Sequence, residues 1–146
     1  MTIRVALADE REALEALQRR ASLAVEADRE ALQANPDAIE LPAERIAGGQ
    51  VLVAENDHGV VGCALLRIDG ERAEIDGLFV EPDHWRGGIG SQLVDAAVHE
   101  ARRAGLTLTV VSSLEARPFY EHLGYTVIAT RPNGNRHQRF YMQKTL

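Results

Sequence analysis

The chain has 146 residues, enough for one domain that hides roughly 70% of its unfolded surface without help from a disulfide or a metal. Its 22 acidic and 16 basic side chains give a formal charge of −6, the opposite of the electrostatic footprint of a general nucleic-acid binder. A single cysteine, Cys63, excludes an internal disulfide framework and a multi-cysteine zinc site. Lys144, the only lysine, leaves no phosphate loop of the Walker type and no buried amine for Schiff-base chemistry.

In chain order, Thr2–Ala6 reads as a first strand. Asp9 then reads as the cap of a helix whose apolar face carries Leu14, Leu17, Ala21 and Leu23–Ala24. A second helical piece is expected over Asp28–Gln33, a loop over Asn35–Pro42, and one more turn at Ala43–Ala47 ended by Gly48–Gly49. Val51–Ala54, Val60–Ile68 and Arg72–Val80 form an antiparallel meander, joined by the turns Asn56–Gly59 and Asp69–Gly70. Ile89–Ala104 is the clearest helix, striped by Ile89, Leu93, Ala97, Ala101 and Ala104 and stopped by Gly105. Leu106–Val111 is β-rich. Pro118–Leu123 is a short helix, with Phe119 and Leu123 as its core positions, and Gly124 ends it. The last strands are Tyr125–Thr130 and Gln138–Lys144, with Arg131–Arg136 as their turn. Met1–Glu10 has no apolar run long enough for a signal peptide, and no stretch approaches a spanning helix. A soluble chain follows, with no membrane partner and cytoplasm as the default location.

Chemistry concentrates at Glu81–Gln92 (E-P-D-H-W-R-G-G-I-G-S-Q), where Gly87, Gly88 and Gly90 sit between a strand and a helix. Glycine lets backbone approach a ligand closely and adopt positive φ, and a helix start offers unpaired N–H groups with a partial positive charge. Together they suit a pyrophosphate. A dinucleotide fingerprint is a poor match, because Leu93 stands where G-x-G-x-x-G needs its third glycine. A glycine-rich turn that holds nothing is the plainer alternative.

Trp85-Arg86-Gly87-Gly88-Ile89-Gly90 resembles the Q/R-x-x-G-x-G/A phosphate loop of the GNAT-superfamily acyl-CoA N-acyltransferases. Ala73–Pro82 resembles that family's central strand, and Ser113–Tyr125 (S-L-E-A-R-P-F-Y-E-H-L-G-Y) its later S/N-x-x-A-x-x-F-Y-x-x-x-G-F/Y helix. Trp85 is a departure, standing where Gln or Arg is usual. The resemblance implies one domain over residues 1–146. Its fold would be α+β (α/β three-layer), with a mixed, mostly antiparallel central sheet flanked by helices and a splayed parallel strand pair. It implies acetyl-CoA as cosubstrate, no metal, and direct transfer of the acetyl group to a small-molecule or peptide amine in a ternary complex. Arg86, Gly87, Gly88, Ile89, Gly90 and Ser91 would hold the diphosphate. Backbone groups of Leu78, Phe79 and Val80 would pair with the pantetheine arm in the gap beside Leu106–Val111, helped by Ser113. Homodimers are frequent in that family, which leaves the oligomeric state open.

Acyl transfer to an amine needs a base for the ammonium proton and an acid for the departing thiolate. The resemblance points to Tyr120 as the acid and to Glu74, directly or through water, as the base. Asp76 shares a strand face with Glu74 at a spacing of two, and Glu81 at the strand end is a further carboxylate. Glu74 and Asp76 could equally be solvated polar positions on an amphipathic strand, and Glu81, ahead of Pro82, stands at a strand end where polar residues are common. A non-catalytic acyl-CoA sensor on the same fold is the alternative function. His58, His99, His122 and His137 read as surface residues, His84 lies near the loop, and Cys63 reads as a small core residue. The three arginines of Arg131–Arg139 fit a solvated hairpin better than an acidic-ligand site. The overall charge favours a cationic amine over an acidic one.

Overall fold

The computed structural model describes residues 1–25, 41–133 and 136–144. The helical piece expected over Asp28–Gln33, and most of the Asn35–Pro42 loop, lie outside them. Seven strands form a sheet in the order β1-β2-β3-β4-β5-β7-β6. They are β1 (Thr2–Val5), β2 (Val51–Asn56), β3 (Gly59–Ile68), β4 (Ala73–Val80), β5 (Thr109–Ser112), β6 (Tyr125–Asn133) and β7 (Arg136–Lys144). The helices are α1 (Arg11–Leu23), α2 (Ala43–Ala47), α3 (Ile89–Arg103) and α4 (Arg117–His122). β1 with β2, β2 with β3, β5 with β7 and β6 with β7 pair antiparallel, whereas β4 and β5 run parallel, with Glu74 opposite Thr109 and Ile75 opposite Val110. This is the mixed, mostly antiparallel α+β fold expected above.

The backbone gathers into two compact units, Met1–Leu65 with Leu78–Val94, and Leu66–Gly77 with Asp95–Leu146. In the first, Leu14 and Leu17 of α1 and Ile46 of α2 pack with Val51, Val53 and Cys63, and Phe79 closes on the cluster from β4. Arg4 forks onto Glu10 at 2.8 and 2.9 Å and reaches Glu55 at 3.3 Å, so the Arg4 guanidinium holds the Glu10 carboxyl below its ordinary range. Helix entry differs from the sequence reading. A 3₁₀ turn over Ala8–Glu10 precedes α1, so Asp9 lies inside that turn rather than at a cap; Glu10 stands at the N-cap of α1 without a side-chain cap bond, and its carboxylate instead accepts from the Leu7 amide at 2.8 Å.

In the second unit, Ala73, Ile75, Val110, Met142 and Phe140 are buried, as are Ala97 and Ala101 on the stripe of α3. That helix ends in a Schellman motif. Gly105 is left-handed at φ 73°, its amide bonds to Arg102, and the Leu106 amide reaches Ala101. Leu106 is thereby consumed by the helix end, which is why β5 begins at Thr109 rather than Leu106. The expected turn Arg131–Arg136 is also corrected. Arg131 pairs with Arg139 and Asn133 with Arg136, so both strands run into it. The like charges of Arg131 and Arg139 face each other at exposed positions where water screens them.

Candidate active site

The residues expected to serve the chemistry fall into two groups, one in each unit. The first is the loop. Pro82–His84 forms a 3₁₀ turn after β4, and the chain then enters Arg86 at φ 69° and Gly88 at φ 81°. Glycine was expected to carry the left-handed conformations here; one of the two falls on an arginine. An L-residue held there costs roughly 1–2 kcal/mol, and such strain persists only where its surroundings over-determine it. A Cβ built at Gly88 would meet nothing within 4 Å, so the position faces open space. The first backbone bond of α3 runs from the Gln92 amide to the Gly88 carbonyl at 3.1 Å. The amides of Ile89, Gly90 and Ser91 therefore precede the helical pattern and carry the positive end of a 15-residue helix. Left-handed turns ahead of such amides make a concave anion seat.

The start of α3 is anchored through Gly62 of β3. A Cβ there would lie 3.0 Å from Ile89 Cγ2, 3.1 Å from Leu93 Cδ1 and 3.2 Å from the Phe79 carbonyl. The sequence reading missed Gly62, although a glycine inside an apolar strand marks a close approach. Replacing it with alanine is expected to destabilise the chain by about 1–3 kcal/mol in urea unfolding, since Ile89 and Leu93 must shift to make room. An unchanged midpoint would show that the helix start gives way freely.

The end of β4 sorts its own backbone. The Glu81 amide donates to Val61 of β3 at 2.8 Å, and the Phe79 carbonyl lies toward Gly62. By strand alternation the backbone of Phe79 faces β3, and that of Val80 faces the other way. The Val80 carbonyl is already bonded to Trp85 Nε1 at 2.9 Å. Of the three residues expected to pair with a ligand, Phe79 is therefore turned inward, and Val80 retains its amide. Further back on β4, Asp76 bonds to Arg67, while Phe79 packs on the cluster that contains Cys63.

Three carboxylates were candidates. Glu81 is bound by Arg20 of α1 at 2.6 Å, and Asp76 by Arg67 at 2.9 Å. Both are committed to guanidiniums. Glu74 is different: its side chain is only 13% exposed, and among the described residues the cation it meets is Arg72, at 3.9 Å. The second group is completed by α4. Ser113 Oγ accepts from the Ala116 amide at 3.2 Å and opens the turn into the helix. Tyr120 is 3% exposed and sits edge-on to Phe119 and Tyr125, with ring centroids 5.1 and 6.1 Å away. This reverses the packing read from sequence, for Phe119 and Leu123 are only half-buried. Burial, and then the neighbouring Tyr125, push the Tyr120 phenol well above its ordinary range. Among the described residues its hydroxyl makes no hydrogen bond.

Elsewhere, burial pushes the Cys63 thiol up to about 12, so it is protonated and inert. His58, His99 and His122 are exposed, and the ring of His84 stands edge-on to His58 at 5.5 Å. No helix among the described residues is long and apolar enough to cross a membrane.

Residues 47–127 match the family model described as an acetyltransferase (GNAT) domain. The N-acetyltransferase YafP of Escherichia coli K12 is 34% identical over 85 residues, covering 58% of this chain and 51% of that protein. The chain therefore spans about half the length of the curated relative it matches. The structure of the PaiA N-acetyltransferase from Thermoplasma acidophilum with coenzyme A superposes with a TM-score of 0.77 at 21% identity, covering 99% of this chain and 98% of that one. That of yncA from Salmonella typhimurium with acetyl-CoA gives 0.69 at 25% identity, covering 100% and 94%. The chain belongs to the GNAT acetyltransferase family.

Proposed function

We propose that the protein is an acetyl-CoA-dependent N-acetyltransferase acting on an amine, built as one domain over residues 1–146. The observation that carries this is the loop Arg86–Ser91, with left-handed Arg86 and Gly88 ahead of the free amides of α3. It suits a diphosphate, and a relative of this fold is described with acetyl-CoA as its cofactor. When bound, acetyl-CoA supplies an acetyl group activated as a thioester.

The chain's residues supply the rest. Loop amides from Arg86 to Ser91 hold the diphosphate, and the amides of Leu78 and Val80 position the pantetheine arm, with the Leu78 amide donating to the thioester oxygen. Glu74, with its weak hold on Arg72, accepts the proton that the attacking amine gives up, directly or through water. The Tyr120 hydroxyl gives its proton to the departing sulfur. Burial keeps that proton in place at neutral pH. Glu81 and Asp76 are passed over as base, because each is already held in an ion pair by an arginine.

A panel of primary amines incubated with acetyl-CoA and the full chain tests this directly. Thiol release that depends on one class of amine, with the acetylated product seen by mass, is the expected result. Tight coenzyme A binding without turnover on any amine would favour the acyl-CoA sensor.

A further inference from the structure

We propose that Trp85 is a positioning residue for coenzyme A: its indole N–H ties the end of β4 to the entrance of the diphosphate loop, so that strand and loop amides stand at one spacing before the ligand arrives. The inference rests on the acetyl-CoA reading above and adds to it a role for the one loop residue that departs from the family pattern.

Trp85 is the only tryptophan in the chain, and it is 46% exposed. A large indole normally gains by burying its area. This one keeps nearly half its surface in water, and its Nε1 bonds to the Val80 carbonyl at 2.9 Å. The ring is therefore placed by its polar edge. The Val80 carbonyl is a meaningful partner. It belongs to the last residue of β4 and faces away from β3, on the side where a ligand arm would run. The Glu81 amide fixes the other side of the same strand end to Val61 at 2.8 Å. Between Val80 and Trp85 the chain makes one tight excursion, in which the His84 amide bonds to Glu81 at 2.8 Å and the Trp85 amide to Pro82 at 3.3 Å.

The loop beyond explains why a tether is needed. Arg86 holds φ 69° and Gly88 φ 81°. Left to itself, an arginine would relax out of that region. Downstream, the path is fixed by Ile89, 6% exposed and seated against Gly62. Upstream, the 3₁₀ bonds of His84 and Trp85 set the local turn, and the indole–carbonyl bond is the side-chain contact that ties it to the end of β4. The strained stretch thus runs between two anchors, and its amides are oriented before any anion arrives. A loop lacking the upstream anchor must order itself on binding, which weakens affinity and leaves the chemical step alone.

Trp85→Phe in the full chain keeps an aromatic ring and removes the donor. The dissociation constant of coenzyme A by calorimetry should rise about fivefold to tenfold, as the loss of one neutral hydrogen bond would give. KM for acetyl-CoA should follow it, with kcat and the thermal midpoint essentially unchanged. In the unsubstituted chain, coenzyme A should change the emission of this sole tryptophan, whereas pantetheine, which has no diphosphate, should not. Equal coenzyme A affinity in the variant overturns the tether, whether or not the midpoint falls. So does unchanged emission in a chain that calorimetry shows to be binding coenzyme A. Should the unsubstituted chain fail to bind coenzyme A at all, the acetyltransferase reading falls first and the tether with it.

Discussion

Tyr120→Phe is expected to lower kcat by about tenfold to a hundredfold, at or below the low end of what a general acid contributes, while KM for acetyl-CoA stays within about twofold. The low end follows from the side chain's surroundings. Burial raises the phenol's proton affinity, so the proton is always present but is harder to give up. The variant should fold normally. Its ring keeps both edge-on aromatic neighbours, and no hydrogen-bond partner among the described residues is orphaned. The raised value also fixes a pH dependence. The active, protonated form persists past the ordinary phenol range near 10, so the kcat profile of the unsubstituted chain should show no loss from Tyr120 below about pH 10. Linkage has the same sign: the folded state favours the neutral phenol, so its contribution to stability is complete below about pH 10 and is lost as pH rises beyond. Steady-state kinetics on the two proteins across pH checks all of this, and an unchanged kcat would remove Tyr120 from the chemistry.

Tyr120 also shows where sequence reasoning stops. Its helix, Arg117–His122, is barely more than one turn, too short for a periodicity to say which of Phe119, Tyr120 and Leu123 turns inward. Where punctuation is strong, the elements are legible. Gly59 at φ 96° closes the first hairpin, Asp69 Oδ1 accepts from the amides of Glu71 and Arg72 at the second, and Gly105 stops α3. The order of elements and the Gly-rich loop follow from such signals. Features that depend on contact between distant segments do not. Arg131–Asn133 reads as turn because it holds Arg, Pro and Asn, yet pairing with β7 draws it into a strand. Three carboxylates look alike in a list of residues, and only the placement of Arg20 and Arg67 separates Glu81 and Asp76 from Glu74. Trp85 reads as a defect in a motif until its indole is seen on Val80.

The largest loss of cofactor affinity is expected from Gly88→Val. At φ 81° the glycine occupies a region that costs an L-residue roughly 1–2 kcal/mol, and a β-branched side chain more. Space is not the obstacle on the protein side, because a Cβ there meets nothing within 4 Å. In the acetyl-CoA reading, that open space is where the diphosphate would sit. Valine therefore acts twice: it favours a right-handed backbone that turns the loop amides apart, and if the loop holds its shape it fills the seat. The dissociation constant of coenzyme A should rise about tenfold to a hundredfold, roughly 1.4–2.7 kcal/mol. Gly88→Ala should fall between, since alanine adds the strain with less bulk. The fold should survive both, because the loop lies on the surface and Ile89, the nearest buried side chain, is untouched. Calorimetry with coenzyme A on the two variants decides the matter. Full affinity in Gly88→Val would mean that neither the left-handed turn nor the open space beside it receives the diphosphate, and the anion seat would have to lie elsewhere.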